Sequence, residues 1–531
     1  MDSEKVVRAM ARWWQTVSQE DGDPNSRNPI NYDLLQEGVG VKTSKTRQYL
    51  AAMIICLGAV AAGTALAWTS PVLPQITAAN STATNSTTNN STFTPNTQIQ
   101  TQIQTQITFN ESLFANATSP TPSSSEVLLT DTQKTWVGSL LAVGALFGAL
   151  PSGYIADTIG RRYTAMVMDV PFILAWLSIS FGQTVGWLYV GRFLIGISTG
   201  SFCVVAPMYI SEIAETSIRG SLGTLFQLLL TIGILFVYVV GAMVSWTTLS
   251  MLCLTIPILL MVGLFFLPET PVYLLKRGDR VAANRSLKWL WGKYCDSSSA
   301  IQVIQNDLDQ TGADASIMDL FSNRASRNGL VISVLLMVFQ QFSGINAVIF
   351  YTDSIFQSAG SSLDPSICSI IVGVVQVIMT LTSSLLIEKS GRKILLVFSS
   401  TVMTVCLAML GAYYTIKGNG GAASIGWLPL ICVVFFIVSF SVGYGPIPWM
   451  MMGELFLPDV KGTAVSLTVM INWVCVFLVT WCFGSLQKFG DDVPFWFFSA
   501  WMAVATVYVA LVLQETKGKT ASQIQSWLNG R

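Results

Sequence analysis

Histidine is absent from this chain, charge is scarce, and the longest polar stretch holds no cysteine. Lys, Arg, Asp and Glu make up 11% of the 531 residues, against about 25% in soluble domains, which excludes a water-soluble globular protein. Bases and acids balance at 29 each, so no net positive charge marks a nucleic-acid partner. Without histidine, the side chain that most readily exchanges protons near neutral pH is missing. Seven of the nine cysteines (Cys56, Cys203, Cys253, Cys406, Cys432, Cys475 and Cys482) lie in apolar runs, and none falls in the polar stretch, so no disulfide framework is expected. The first 48 residues are hydrophilic and lack a short apolar core with a cleavage site. No secretory signal peptide is expected, and the first apolar segment reads as an uncleaved anchor. Nucleophile arrangements, metal-ligand clusters and nucleotide loops are missing too, so neither an enzyme, a cofactor nor a metal site is expected.

What is present is apolar. Hydrophobic residues make up 52% of the chain, and the mean hydropathy is +0.55. Apolar runs of about 20 residues, the length that crosses a bilayer, predict twelve helices. They fall near 49–72, 134–156, 163–182, 187–209, 221–243, 246–267, 328–350, 366–387, 393–414, 427–452, 463–486 and 493–513. The expected class is an all-α membrane protein of two six-helix halves, 49–267 and 328–513. An N-terminal segment 1–48, a polar linker 268–327 and a tail 514–531 complete it. Bases gather on one side of this arrangement, at Arg161, Arg162, Arg219, Lys389, Arg392, Lys393, Lys461, Lys517 and throughout the linker; the other side receives Lys417, Lys488 and Lys134. Both termini and the linker are therefore expected in the cytoplasm. The 75–132 loop falls opposite, and its Asn80, Asn85, Asn89, Asn90, Asn110 and Asn116 stand in glycosylation sequons that are used only outside the cytosol. Asn284 also stands in a sequon but lies on the cytoplasmic side, where it is expected to stay bare.

A charged cassette occurs twice. Asp157-Thr-Ile-Gly-Arg161-Arg162 is matched by Glu388-Lys-Ser-Gly-Arg392-Lys393. Glu212 stands seven residues before Arg219, and Glu454 seven before Lys461. Pro268-Glu269-Thr270 is echoed by Gln514-Glu515-Thr516. Matched charges at matched helix ends describe a transporter built from two copies of one unit. The pairs are expected to lock helices of opposing halves together in one state and to part in the other. Each partly hydrated pair is worth about 1 kcal/mol or less.

These residues, with Pro207-x-Tyr209-x-x-Glu212, Gln340-Gln341-x-Ser343-Gly344-Ile345-Asn346, Pro446-x-Pro448-Trp449, Asn472-Trp473 and Glu515-Thr516-Lys517-Gly518, carry a resemblance over about residues 49–520. The chain resembles the sugar porter family of the major facilitator superfamily, the group of glucose facilitators and insect trehalose transporters. The resemblance implies the major facilitator fold and a small neutral sugar as substrate. It also implies a sugar site from Gln227, Gln340, Gln341, Asn346, Gln376, Trp449 and Asn472. The chemistry agrees, because amides offer hydroxyls both donor and acceptor without a charge, and an aromatic face suits a pyranose ring. One straight helix cannot present Gln340, Gln341 and Asn346 together, since Asn346 lies about 240° round from Gln340. Ser343-Gly344 between them therefore suggests a break. The chain departs from the family at Thr158, Lys461, Ser441 and Tyr444, where the family usually has Arg, Arg, Glu and Pro.

Proton-driven relatives carry an Asp in the first helix. Here the matching stretch is Ala62-Gly63-Thr64-Ala65, leaving Asp169 and Asp353 as the carboxylates to explain, the latter expected near the outer end of its helix within reach of solvent. The expected function is facilitative sugar transport by alternating access, functional as a monomer in the plasma membrane. Trehalose is favoured over glucose, because Ser441 leaves more room beside Trp449 and the 75–132 loop is long. The alternatives are a proton-coupled sugar symporter and a non-transporting sugar sensor, which would be expected to carry a large cytoplasmic signalling tail.

Overall fold

Twelve helices among the described residues are long and apolar enough to cross a membrane. They are α1 (Lys45–Ile76), α2 (Asp131–Ile159), α3 (Arg161–Phe181), α4 (Val185–Ile213), α5 (Leu222–Gly241) and α6 (Trp246–Phe266), followed by α7 (Arg324–Ala359), α8 (Pro365–Ser383), α9 (Arg392–Gly418), α10 (Leu428–Met452), α11 (Ala464–Gln487) and α12 (Val493–Leu511). The computed structural model describes residues 45–76, 129–182, 184–215, 218–292, 297–310, 321–359, 363–421, 425–456, 458–519 and 521–530, within the unit Lys42–Arg531. Residues 77–128, with all six sequons, lie outside the described residues.

The apolar runs locate every span, with ends shifted by a few residues except in α7, which runs to Ala359 where 350 is expected. The polar linker folds into helices at Pro271–Lys276, Arg280–Trp291 and Ser297–Gln310, and Ala521–Leu528 is helical in the tail. The cause is local amphipathicity: Ala283, Leu287 and Leu290 bury one face of Arg280–Trp291, and Asp279 caps its start through Ala282 N–H at 2.8 Å.

Successive spans run in opposite directions. One end of the bundle carries Ile76 and Leu129, where the 77–128 segment departs; this is the loop end. The other carries Phe266 and Arg324 and is the linker end. In lipid there is no hydrophobic drive between helices, so close backbone approach does the packing. Gly144 and Gly148 on α2 meet Gly196 and Gly200 on α4 in this way. A Cβ at Gly148 would stand 1.9 Å from the Ile197 carbonyl oxygen, and one at Gly200 would stand 2.1 Å from that of Ala145. No side chain larger than hydrogen fits without driving the helices apart.

The two halves touch along α2 with α11 and along α5 with α8, and the α2 contact is lopsided. Thr135 and Gly153 stand 18 positions apart, about five whole turns, and so share one face of α2. Thr135 abuts Gly484 of α11 near the loop end, where a Cβ at Gly484 would come 2.7 Å from Thr135 Oγ1. A Cβ at Gly153 would meet nothing within 4 Å. Among the described residues, α2 thus meets α11 at the loop end and has open space at Gly153, towards the linker end.

Candidate functional site

Breaks in α7 and α10 build the amide cluster. The first stretch of α7 ends at Phe342 and the second starts at Ile345, with Gly344 at φ +83° in the left-handed region that favours glycine. α10 likewise stops at Val442 and resumes at Ile447. The break in α10 frees carbonyls, and Gln340 takes two of them: its Nε2 donates to Tyr444 O at 2.7 Å and to Gly445 O at 3.0 Å. Asn472 of α11 donates to Gln340 Oε1 at 3.2 Å. The Gln340 amide is thus engaged on both sides and ties α7, α10 and α11 together. Beyond the break, Asn346 Nδ2 donates to Gln341 Oε1, so the kink brings together two side chains that a straight helix would separate. Gln376 on α8 is buried with Oε1 unpartnered, as are Ser441 Oγ on α10 and Trp473 Nε1 on α11. Trp449 and Gln227 are half-buried on α10 and α5. The structure therefore joins Gln340 with Asn472 and Gln341 with Asn346, while Gln376 keeps an open acceptor. Gln340 and Asn472 read as the frame of the site more than as its free groups, because their hydrogen bonds are already made.

A seam of hydroxyls closes the loop end. Thr69 Oγ1 of α1 donates to Phe350 O at 2.9 Å, and the Tyr238 hydroxyl of α5 donates to Ile349 O at 3.0 Å. Tyr351 stacks on Phe483 of α11 at 5.2 Å between centroids. Arg192 on α4 is fully buried close by; it donates to Val137 O at 2.8 Å and Ala65 O at 2.7 Å, and its guanidinium lies 5.7 Å from the Trp68 ring. Arg192 is not among the site residues expected from sequence, although an arginine inside an apolar span is a signal in itself.

The linker end carries the repeated cassette as two related clusters. In the first half Arg161 Nη2 lies 2.8 Å from Glu212 Oε1 and 3.0 Å from Asp157 Oδ1. Glu269 accepts the backbone N–H of Arg161 at 3.0 Å and of Arg162 at 3.1 Å, capping the start of α3. In the second half Arg392 Nη2 lies 2.9 Å from Glu454 Oε1. Glu515 accepts from Arg392 N at 2.9 Å and Lys393 N at 3.0 Å. Gly160 (φ +100°) and Gly391 (φ +85°) precede the two helices. A Cβ at Gly160 would come 2.4 Å from Glu269 Oε2, and one at Gly391 would come 2.6 Å from Glu515 Oε2, so only glycine fits either position.

Asp157, Arg161 and Glu212, and likewise Arg392 and Glu454, pair within their own halves in this structure. Each base begins a helix whose antiparallel neighbour in the same half ends beside it, so the partner in reach belongs to that half. Arg161 is also almost wholly enclosed, at 3% exposure, so its pair is not the hydrated one expected. The side chains of Arg219, Glu388 and Lys461 lie outside the described residues.

Burial pushes the Glu269 carboxyl above its ordinary value, against the pull of the N–H bonds from Thr270, Arg162 and Arg161. Burial acts on Glu515 in the same direction, but the N–H bonds from Lys517, Arg392 and Lys393 outweigh it, and its carboxyl sits below the ordinary value. The clusters also differ in one bond. Thr270 donates its hydroxyl to Glu212 Oε2, whereas the matching Thr516 Oγ1 and Glu454 Oε2 are both buried without partners.

Of the two unexplained carboxylates, Asp169 is fully buried, with neither oxygen hydrogen-bonded. Its helix packs on α4 and α6 of its own half. Asp353 is 6% exposed, not open to solvent as expected, because the closed seam covers it.

Residues 52–528 match the profile of the sugar (and other) transporter family. The chain is 39% identical over 408 residues to the facilitated trehalose transporter Tret1 of Culex quinquefasciatus, covering 76% of this chain and 79% of that one. It is 35% identical over 489 residues to Tret1 of Drosophila mojavensis, covering 91% of this chain but 52% of that longer relative. Among solved structures it is similar to the partially occluded inward-open xylose transporter XylE from E. coli, with a TM-score of 0.68 and 22% identity over 90% of this chain and 100% of that one. It is similar also to the proton:xylose symporter XylE bound to 6-bromo-6-deoxy-D-glucose, with a TM-score of 0.67 and 22% identity over 91% of this chain and 99% of that one. With this match to the family profile over most of its length, the chain belongs to the sugar (and other) transporter family, on the major facilitator fold.

Proposed function

We propose that the protein is a facilitative transporter that moves a neutral sugar down its gradient by alternating access, with trehalose the favoured substrate. The observation that carries this reading is the amide cluster at the two helix breaks, beside halves that meet in a seam at the loop end. A neutral polyol needs donors and acceptors without counter-ions. Gln341, Asn346 and Gln376 supply them, with Gln227 opposite on α5, Trp449 as the stacking face, and Gln340 and Asn472 bracing the site. The linker-end clusters of Asp157, Arg161, Arg162, Glu212 and Glu269, and of Arg392, Glu454 and Glu515, keep each half rigid while it rocks.

Trehalose is favoured by the names of the relatives and by Ser441, a small side chain on α10, the helix that carries Trp449. Transport without proton coupling is favoured because α1 has no carboxylate along its length. Bases at the linker end favour a cytoplasmic location for that end and both termini, with the sequon-bearing segment outside the cell at the plasma membrane. The chain is read as functional as a monomer.

Uptake of labelled trehalose and glucose in transport-null cells tests the reading. Trehalose uptake is expected, and Gln341→Ala should weaken it about tenfold or more, since a lost hydrogen bond to a buried hydroxyl costs about 1–3 kcal/mol. Glucose uptake that excess trehalose barely inhibits assigns the site to a hexose, and uptake of neither defeats the proposal.

A further inference from the structure

The repeat extends past the spans. In the first half the helix Arg280–Trp291 bridges the linker ends of the first and fourth spans. Arg47 Nη1 of α1 donates to Trp289 O at 3.2 Å, and Trp291 Nε1 donates to Ile213 O, at the end of α4, also at 3.2 Å. In the second half the tail helix Ala521–Leu528 bridges the first and fourth spans in the same way. Asn328 Nδ2 of α7 donates to Leu528 O at 2.8 Å, and Gln525 Nε2 donates to Leu455 O, at the end of α10, at 3.0 Å. Leu287 and Leu290 of the one helix and Ile524 and Leu528 of the other are buried.

The second bridge meets a different kind of span. α4 runs unbroken from Val185 to Ile213, so its linker end is continuous with the rest of the helix. α10 is interrupted, and the stretch Ile447–Leu455 beyond its break is nine residues long, too short to keep its place by itself. Two of its ties lead back to one partner. At its start Tyr444 O and Gly445 O accept from Gln340, at the end of the α7 stretch Arg324–Phe342. At its far end Leu455 O accepts from the tail helix, which Asn328 fastens to the same stretch of α7. α7, Gln340, the short stretch of α10 and the tail helix thus close a ring. Glu454 also joins the short stretch to α9 through Arg392.

We propose that Gln525 and Asn328 are positioning residues: through the tail helix they hold the linker-side stretch of α10 against α7, and so keep the Tyr444 and Gly445 carbonyls where Gln340 braces the sugar site. The inference deepens the proposed function and rests on it only in calling that site a sugar site. Its signature is coupling round the ring. Loss of either bond opens the same ring, so the second loss adds little to the first.

Hydrogen exchange of the purified full-length protein, resolved by peptide, tests this without any sugar, so its failure and that of the transport reading are told apart. Gln525→Met removes the donor at matched helix propensity. It should speed exchange in the stretch 447–455 about threefold or more, the scale of one lost hydrogen bond, and leave the helix 280–291 unchanged. Asn328→Leu should do the same to 447–455. The two neutral changes together should stay within about twofold of Gln525→Met, where independent effects would multiply. Gln525→Lys keeps a donor at the carbonyl end of α10 and should stay within about twofold of the parent. Unchanged exchange in either single variant overturns the proposal. Multiplied effects in the double variant overturn it too, and so does Gln525→Lys that exchanges as fast as Gln525→Met.

Discussion

At the scale of single residues, the polar groups of the spans divide by whether their hydrogen bonds are made. Gln340 makes three contacts and reads as a brace, while Gln376 Oε1 is left open. Asp169 is the extreme case, fully buried with both oxygens unpartnered. Such a group costs stability, and no ligand of the proposed site requires it. Asp169→Ala should therefore stabilise the purified protein by about 1 kcal/mol or more, because the relief outweighs so small a cavity. Thermal unfolding in detergent measures this, and a lower midpoint would mean that Asp169 has a partner in the membrane. Gln340 and Asp169 are both polar residues in apolar runs, and sequence alone cannot tell the bonded one from the orphan. That difference is made by Tyr444 and Gly445, more than 100 positions from Gln340.

Helices bring two further tests. The α2–α4 crossing leaves no room at Gly148 or Gly200, so Gly200→Val should cut the folded yield severely. Gly153→Ala, with open space round the new methyl, should leave it near normal. Size-exclusion profiles of the two variants give the comparison, and equal yields would remove close glycine packing as the reason for these residues. The second test concerns the caps of α3 and α9. Glu515, held below its ordinary value, contributes stability that is present above the unfolded carboxylate range and lost as pH falls through its folded value. Glu269, held above its ordinary value, contributes in the opposite sense: favourably in acid, with the contribution lost as pH rises through its folded value. At pH 7.5, Glu515→Gln should thus lower the unfolding midpoint more than Glu269→Gln does. The reverse order would show that the two caps are not ranked by their hydrogen bonds.

For the molecule as a whole, the seam that joins the halves at the loop end fits one of the two states that alternating access needs. With no carboxylate on α1, sugar should equilibrate across the membrane without accumulating, and a proton uncoupler should leave the initial rate nearly unchanged. Time courses of uptake with and without uncoupler decide this. Accumulation above the external level that collapses with the proton gradient, and that Asp169→Asn removes, would replace facilitation by symport.

The amino-acid sequence by itself determined the twelve spans, the two halves and the repeated charges. Each of these is a property of short stretches: an apolar run long enough to span lipid, or a carboxylate and a base at a helix end. It also pointed to the break at Ser343-Gly344, since one straight helix cannot present Gln340, Gln341 and Asn346 together. Tertiary structure alone decided which carboxylate meets which base. Asp157 lies beside Arg161, one turn earlier on the same chain, but Glu212 stands 51 positions from Arg161 and reaches it only because α4 returns antiparallel to α3. The same holds for Asp353, whose place near a helix end suggested exposure. It is buried because Ser70, 283 positions away, lies on the half that closes over it. Spacing along a chain fixes neighbours within a few turns, and contacts between helices depend on how the whole bundle is packed.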